Sequence, residues 1–395
     1  MTRYITLLAT LLVCGAGLYA QDKNLSEAEI LRTVELNCPV LKNIAATADA
    51  EMIQARTGNS LSDPQFDYTH TWGNSGAAGE DEFTLTQGFD FPTAYAQRNK
   101  AAKANAQVAN ANYQALRTEQ LLSARLLVQE IIYLQKRKTV DSLRLNDALY
   151  AERIAQRRNE AGDITVIEEN RTQIQLLSAR NALARTQMAL ASALAKLSSM
   201  TCTPLTEDVS ITAMPLPELP PLEQVLEKAY AADASLTAAK ASQQAALMQR
   251  RLATSLALPK FSAGYKHSRS DGLNFNGLIV GMSIPIFESR HTVKLARARQ
   301  TEAETSYESQ HAALSTQIRA AYLQAQSLGA MRAFYAENRA PKDKAGVLKK
   351  ALEAGQMGIL EYFTELDSVY RNMEEWIEVT YNYNSLVIEL DKYSL

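Results

Sequence analysis

The chain is written twice. Pro64-Gln65-Phe66 returns 195 positions on as Pro259-Lys260-Phe261. Gly88-Phe89-Asp90-Phe91-Pro92 returns 193 positions on as Gly281-Met282-Ser283-Ile284-Pro285. At that same offset Ala161-Gly162-Asp163-Ile164-Thr165-Val166-Ile167-Glu168 returns as Ala354-Gly355-Gln356-Met357-Gly358-Ile359-Leu360-Glu361. Matches in one order and at nearly one spacing describe two copies of a long unit, related by a pseudo-twofold axis. Such units share a surface or enclose a space. A symmetric wall or tube follows before any chemistry is considered.

Residues 1–20 stand outside the repeat. Arg3 gives a positive start, Ile5 to Gly17 is apolar, and Leu18-Tyr19-Ala20 ends small before Gln21. This reads as a cleaved secretory signal, too short for a span. Cys14 follows Val13, which is not the small residue a lipidation site takes. Beyond Gln21 no run of 18 apolar residues occurs, so a membrane crossing would need a closed β-barrel. A net charge of −2 without a basic stripe argues against nucleic acid. Aromatics are few, and Ala, Gln, Leu, Glu and Arg are abundant, as in long helices.

The expected divisions are a first repeat over 21–213, a Pro-rich linker over 214–221 and a second repeat over 222–395. In the first repeat, Ser26 opens a short helix and Pro39 starts a second, running to about Arg56. The apolar period then changes from 3.6 to 2. Phe66, Tyr68, His70 and Trp72 share one face; after a loop, Phe83, Leu85, Phe89 and Phe91 alternate with polar residues. This is a β-hairpin over about 65–91 with one greasy face. The second copy, over about 260–284, supplies Phe261, Ala263, Tyr265 and His267, then Leu278, Val280, Met282 and Ile284. Arms of about ten residues suit a tilted bilayer strand. A soluble sheet with one buried face gives the same alternation.

Pro92 and Pro285 mark strand-to-helix joints, since proline suits the end of a strand and the start of a helix. A helix from Ala94 to about Asn159 would span roughly 100 Å. Val140, Leu143, Tyr150 and Ile154 follow heptad spacing on it, with Asp147 interrupting. Gly162 stops this helix, and Thr165-Val166-Ile167-Glu168 has the form of a capping box that starts another. The tips therefore fall at about 161–165 and 354–358. Leu176, Leu183, Leu190 and Leu197 form a seam on the returning helix.

No catalytic set emerges. His70, His267, His291 and His311 lack metal-ligand spacing. Gly73 to Gly79 is Gly-rich but lacks a following Lys-Ser/Thr and sits between strands. No enzyme activity, metal or cofactor is expected. Along the helices, Cys38 lies roughly 39 Å from the strand at Pro64, and Cys202 comes out at about 40 Å from the barrel. An exported chain keeps disulfides, so a bond between these two is a hypothesis set against two free thiols.

Two copies of helix, hairpin, long helix, Gly tip and returning helix resemble the TolC-type outer-membrane efflux channels. Gly281 to Phe287, the tip Ala354 to Glu361 and the late Tyr381-Asn382-Tyr383 carry the likeness. The resemblance implies a mainly α fold with a small β part. Long helical hairpins would build an α-barrel, and four strands per chain would join a trimeric 12-stranded transmembrane β-barrel. It implies a homotrimer in the outer membrane, in contact with its lipid and extending into the periplasm. The chain would be the passive exit duct of a tripartite efflux or type I secretion system, served by a periplasmic adaptor and an inner-membrane pump. It implies adaptor docking at the tips, with Gly162, Asp163 and Thr165 in one copy and Gly355, Met357 and Gly358 in the other. A pore aperture at Glu168, Glu361 and Glu365 is also implied. Glu365 stands beside Thr364, where a second acid is expected, and Met357 stands where some members carry a locking Arg. Helix capping alone also explains Glu168 and Glu361. The competing readings are a periplasmic adaptor and a secreted coiled-coil scaffold without a pore.

Overall fold

The computed structural model describes residues 24–73, 79–270, 272–285, 291–337 and 344–394. The expected export signal and Cys14 lie outside the described residues. In chain order the elements are β1 (Asn24–Ser26), α1 (Glu27–Asn37), α2 (Pro39–Arg56), β2 (Gln65–Thr71), β3 (Glu80–Phe89) and α3 (Pro92–Glu160). Then come α4 (Val166–Thr201), β4 (Ser210–Thr212), α5 (Leu222–Ala232), α6 (Ala234–Leu256), β5 (Lys260–Ser270) and β6 (Leu273–Ser283). The chain continues as α7 (Thr292–Glu337), α8 (Lys344–Glu353) and α9 (Ile359–Leu390).

These elements form two compact units. The first holds the described residues up to Pro39, Leu121–Leu219 and Ala321–Lys392. The second holds Val40–Gln120, Pro220–Ala320 and the residues from Tyr393. Each takes segments from both halves of the sequence, so compact unit and sequence repeat are different divisions of the chain.

In the second unit the strands pair in the order β2-β3-β5-β6, all antiparallel. Phe66 faces Leu85, Leu85 faces Tyr265, and Tyr265 faces Leu278. The alternation of each strand thus merges into one apolar face across the sheet. β2 has seven residues, shorter than the ten-residue arm expected, and β6 has eleven. Pro92 is the first residue of α3, where its missing N–H costs nothing. Pro285 follows β6 closely; what lies between it and His291 is outside the described residues.

In the first unit the helices pack on an apolar cluster of Ile154, Leu352, Ile359, Tyr362, Phe363 and Tyr370 among others. Leu176, Leu190 and Leu197 of the expected seam are buried, while Leu183 is half-buried. Thr186 takes the inner position there, and its hydroxyl donates to the buried Asp141 at 2.6 Å. On α3, Leu143 is exposed, against the heptad expectation. Asp147 is buried on this helix; it anchors the seam instead of interrupting it.

One pairing escaped the sequence. β1 runs parallel to β4 near the linker, Leu25 facing Ile211. Glu27, fully buried, accepts from Arg125 Nε at 2.9 Å and from the backbone N–H of Met214 at 2.8 Å. Arg125 also reaches Asp391 at 3.4 Å. A charge this deep is stable only when paired and hydrogen-bonded, which this one is.

Candidate functional site

The sheet is the first candidate surface. Leu278 and Val280 are 86% and 87% exposed, and Phe66 is 66% exposed. Tyr68, Phe83, Leu85, Phe261, Tyr265 and Met282 add to the same exposed face. An apolar patch this continuous on a water-facing surface marks a membrane or partner contact. The opposite face carries Asp67, Thr69, Thr84 and Thr86, and Lys266 pairs there with Glu82 at 2.7 Å.

Both hairpins end the apolar face in the same way. Tyr68 OH donates to Asp81 Oδ1 at 2.8 Å, and His70 Nδ1 lies 2.7 Å from that oxygen. Tyr265 OH donates to Asn276 Oδ1 at 2.7 Å, with His267 Nδ1 at 2.8 Å. Amphipathic rings with a polar tip suit the edge of an apolar band. The signal was present as Tyr-x-His in both copies, and the sequence reading passed over it.

The hairpin tips are the second candidate surface, in the first unit. Gly162 and Gly355 have φ +70° and +67°, in the left-handed region where an L side chain is strained. Each ends its helix in the same way. Asp163 N–H donates to Arg158 O at 2.8 Å, and Gln356 N–H donates to Ala351 O at 2.9 Å. These six-to-one bonds satisfy carbonyls that a helix end leaves open.

The turns then diverge. Thr165 Oγ1 accepts from Glu168 N–H at 3.2 Å, and Glu168 Oε2 accepts from Thr165 N–H at 3.0 Å. The backbone N–H and hydroxyl of Thr165 hold the Glu168 carboxyl below its usual range. Gly358 is the corresponding N-cap of α9 and makes no side-chain cap bond. Glu361 is exposed in the first turn of that helix, and Glu365 Oε2 lies 3.7 Å from Lys344 Nζ. Met357 and Ile164, one from each tip, pack on the apolar cluster. The tip of the second hairpin is thus held by apolar contact where an Arg was considered from the resemblance. Arg158 Nη2 donates to Leu352 O at 3.4 Å, tying the end of α3 to the end of α8.

Above the tips a polar network joins the hairpins, and sequence reasoning missed it. Tyr370 OH donates to Asp147 Oδ2 at 2.6 Å, and Lys349 pairs with the same carboxylate. Burial, and then the bond to Asp147, hold the Tyr370 phenol far above its usual range. Burial, followed by a hydrogen bond with Glu353, pushes Tyr150 up to about 12. Arg144 Nη2 donates to Asp367 Oδ1 at 2.6 Å, and Gln175 Nε2 donates to Asp367 Oδ2 at 3.3 Å. α9 is thereby bonded to both arms of the first hairpin. A lone acid in an apolar seam was the available signal.

Cys38 and Cys202 are free thiols in this structure, Cys38 buried and Cys202 exposed. Among the described residues no helix is long and apolar enough to cross a membrane.

A chain with this sheet and these helical hairpins has the fold of an outer-membrane channel. Residues 225–394 match the family described as outer membrane efflux protein. Three solved structures have a similar fold. The CmeC outer membrane channel of Campylobacter jejuni superposes with a TM-score of 0.73 at 14% identity, over 93% of this chain and 85% of that one. VceC of Vibrio cholerae gives 0.72 at 16% identity, over 93% and 94%. The open state of the MtrE outer membrane channel of Neisseria gonorrhoeae gives 0.69 at 15%, over 93% and 88%. No curated protein matches the chain by sequence.

Proposed function

We propose that three copies of this chain close a 12-stranded barrel in the outer membrane. The helical hairpins would continue the duct into the periplasm as a passive exit for cargo. The observation that carries this reading is the four-stranded sheet. It has two open edges, β2 and β6, and one exposed apolar face. In lipid every backbone N–H and C=O must be paired, so open edges require further strands. A soluble sheet would bury its apolar face; this one leaves it out.

The chain has no energy-coupling site in this reading. An inner-membrane pump and a periplasmic adaptor, of an efflux or type I secretion system, would load the duct. The adaptor would dock on Gly162, Asp163 and Thr165 at one tip and on Gly355, Met357 and Gly358 at the other. Glu361 and Glu365, repeated by threefold symmetry, would ring the aperture. Glu168 stays ionised while it caps its helix, so it would add charge to the ring without being free to turn toward cargo. A ring of carboxylates binds cations and raises neighbouring pKa values by repulsion.

Outer-membrane fractionation with heat-modifiable migration on gels tests the duct. A trimer that collapses to monomer only on boiling is expected, and a soluble monomer would sink the reading. In planar bilayers, Glu361→Gln with Glu365→Gln should weaken cation block and shift selectivity. Unchanged conductance and block would remove the ring while leaving the duct intact.

A further inference from the structure

Cys38 caps the end of α1, and Cys202 caps the end of α4. Cys38 is 1% exposed, whereas Cys202 is open to solvent. Cys202 is also the one described non-glycine residue in the left-handed region, with φ 54° and ψ 27°. That conformation suits glycine and strains an L side chain. Local geometry alone therefore disfavours cysteine at this cap. Strain held at one residue points to a role for its side chain.

The side chain reaches the other cysteine's peptide. Cys202 Sγ donates to the carbonyl oxygen of Asn37 at 3.6 Å. Across a trans peptide that oxygen lies about 2.8 Å from the next Cα, so the sulfur is within roughly 6.4 Å of Cys38 Cα. Rotation of the side chains and movement of the exposed cap would bring the sulfurs together.

We propose that Cys38 and Cys202 form a disulfide in the exported protein, with Cys202 as the entry thiol. The proposal rests on the outer-membrane reading, because that route crosses an oxidising compartment. The Cys202 thiolate attacks the disulfide of an oxidised dithiol carrier, forming a mixed disulfide and releasing one carrier sulfur as thiolate. The Cys38 thiolate then attacks the Cys202 sulfur. The Cys38–Cys202 bond forms, the mixed bond breaks, and the carrier leaves as a dithiol with two electrons and two protons. The bond joins positions 164 apart in the chain and staples the α1–α2 junction to the end of the first helical hairpin.

The test uses full-length protein extracted from outer membranes, denatured in a thiol alkylator before and after reduction. No label before reduction, two labels after, and a peptide linking Cys38 to Cys202 are expected. Two labelled thiols before reduction overturn the proposal. If fractionation instead finds the chain in the cytoplasm, the outer-membrane reading fails. Oxidation of the purified chain with copper phenanthroline then judges the geometry alone. A linked peptide supports the pairing, and its absence overturns it. Cys202→Gly separates staple from strain. Without reductant it should melt several degrees below the parent, and with reductant at or above it. A variant at or above the parent in both conditions removes the staple.

Discussion

At the first hairpin tip Thr165 and Glu168 exchange hydrogen bonds; at the second, Gly358 stands in the same place with no side chain to exchange. The helices before both tips end alike, on a left-handed glycine. What differs is how the returning helix begins. The first tip carries its own local lock. The second depends on what α9 packs against, namely Met357, Ile359, Tyr362 and Phe363 in the apolar cluster and the Tyr370–Asp147 bond above. A tip with local bonds of its own depends less on its neighbours, even though Ile164 also packs on the cluster. A tip held by packing moves when its neighbours move, so the second hairpin is the place to look for opening.

The largest expected effect comes from Asp147→Ala. It leaves the buried Tyr370 hydroxyl without its acceptor and Lys349 without its anion. A loss of about 2–4 kcal/mol follows from stranding buried polar groups. Amide hydrogen exchange should accelerate over the first turns of α9 and barely change at 165–169. Equal acceleration at both tips would erase the proposed contrast.

Gly162→Ala and Gly355→Ala come next, each costing about 1–2 kcal/mol for forcing an L side chain into the left-handed region. An added Cβ meets nothing within 4 Å at either position, so the two costs should match. Thermal melts that differ widely would show that the two turns are not equivalent in the folded protein.

The smallest effects concern the caps. Thr165→Ala should cost about 1 kcal/mol, and Gly358→Ser should gain a few tenths. Gly358 has the extended backbone of a normal N-cap and open space at its Cβ. Serine there would sit three residues before Glu361, reproducing the box. The Glu168 carboxyl is held below its usual range in the folded state. Its contribution is therefore complete above the ordinary carboxylate pKa and is lost as pH falls through the lowered one. On acidification, protection at 166–169, taken relative to the intrinsic exchange rate at each pH, should fall in the parent protein and stay flat in Thr165→Ala.

Much of this architecture was legible in the chain. Strand alternation at Phe66–Trp72 and Phe261–His267 is a two-residue period that any one-faced sheet imposes. Gly162 and Gly355 are legible because helix ends demand a left-handed residue. The Asp147–Tyr370 bond was hidden, since its partners are 223 positions apart and Asp147 alone reads as an interruption of a seam. The β1–β4 ladder is three residues long, too short to show a period. Leu143 was misplaced because heptad spacing alone does not say which positions face a packed neighbour. The proposed aperture acids would belong to a ring that one chain does not contain.

The unequal sheet edges have a consequence for biogenesis. On the proposed closure β6 of one copy, eleven residues long, meets β2 of the next, which offers seven. The joints between copies are then shorter than the ladders within each copy, and they form by collision. Until two partners arrive, a newly exported chain carries two sticky borders, and exposed borders of this kind recruit whatever strand comes first. Its lifetime as a lone chain should therefore lengthen as expression is lowered, and a pulse-labelled population should show that lag as a concentration-dependent delay before the heat-resistant species appears.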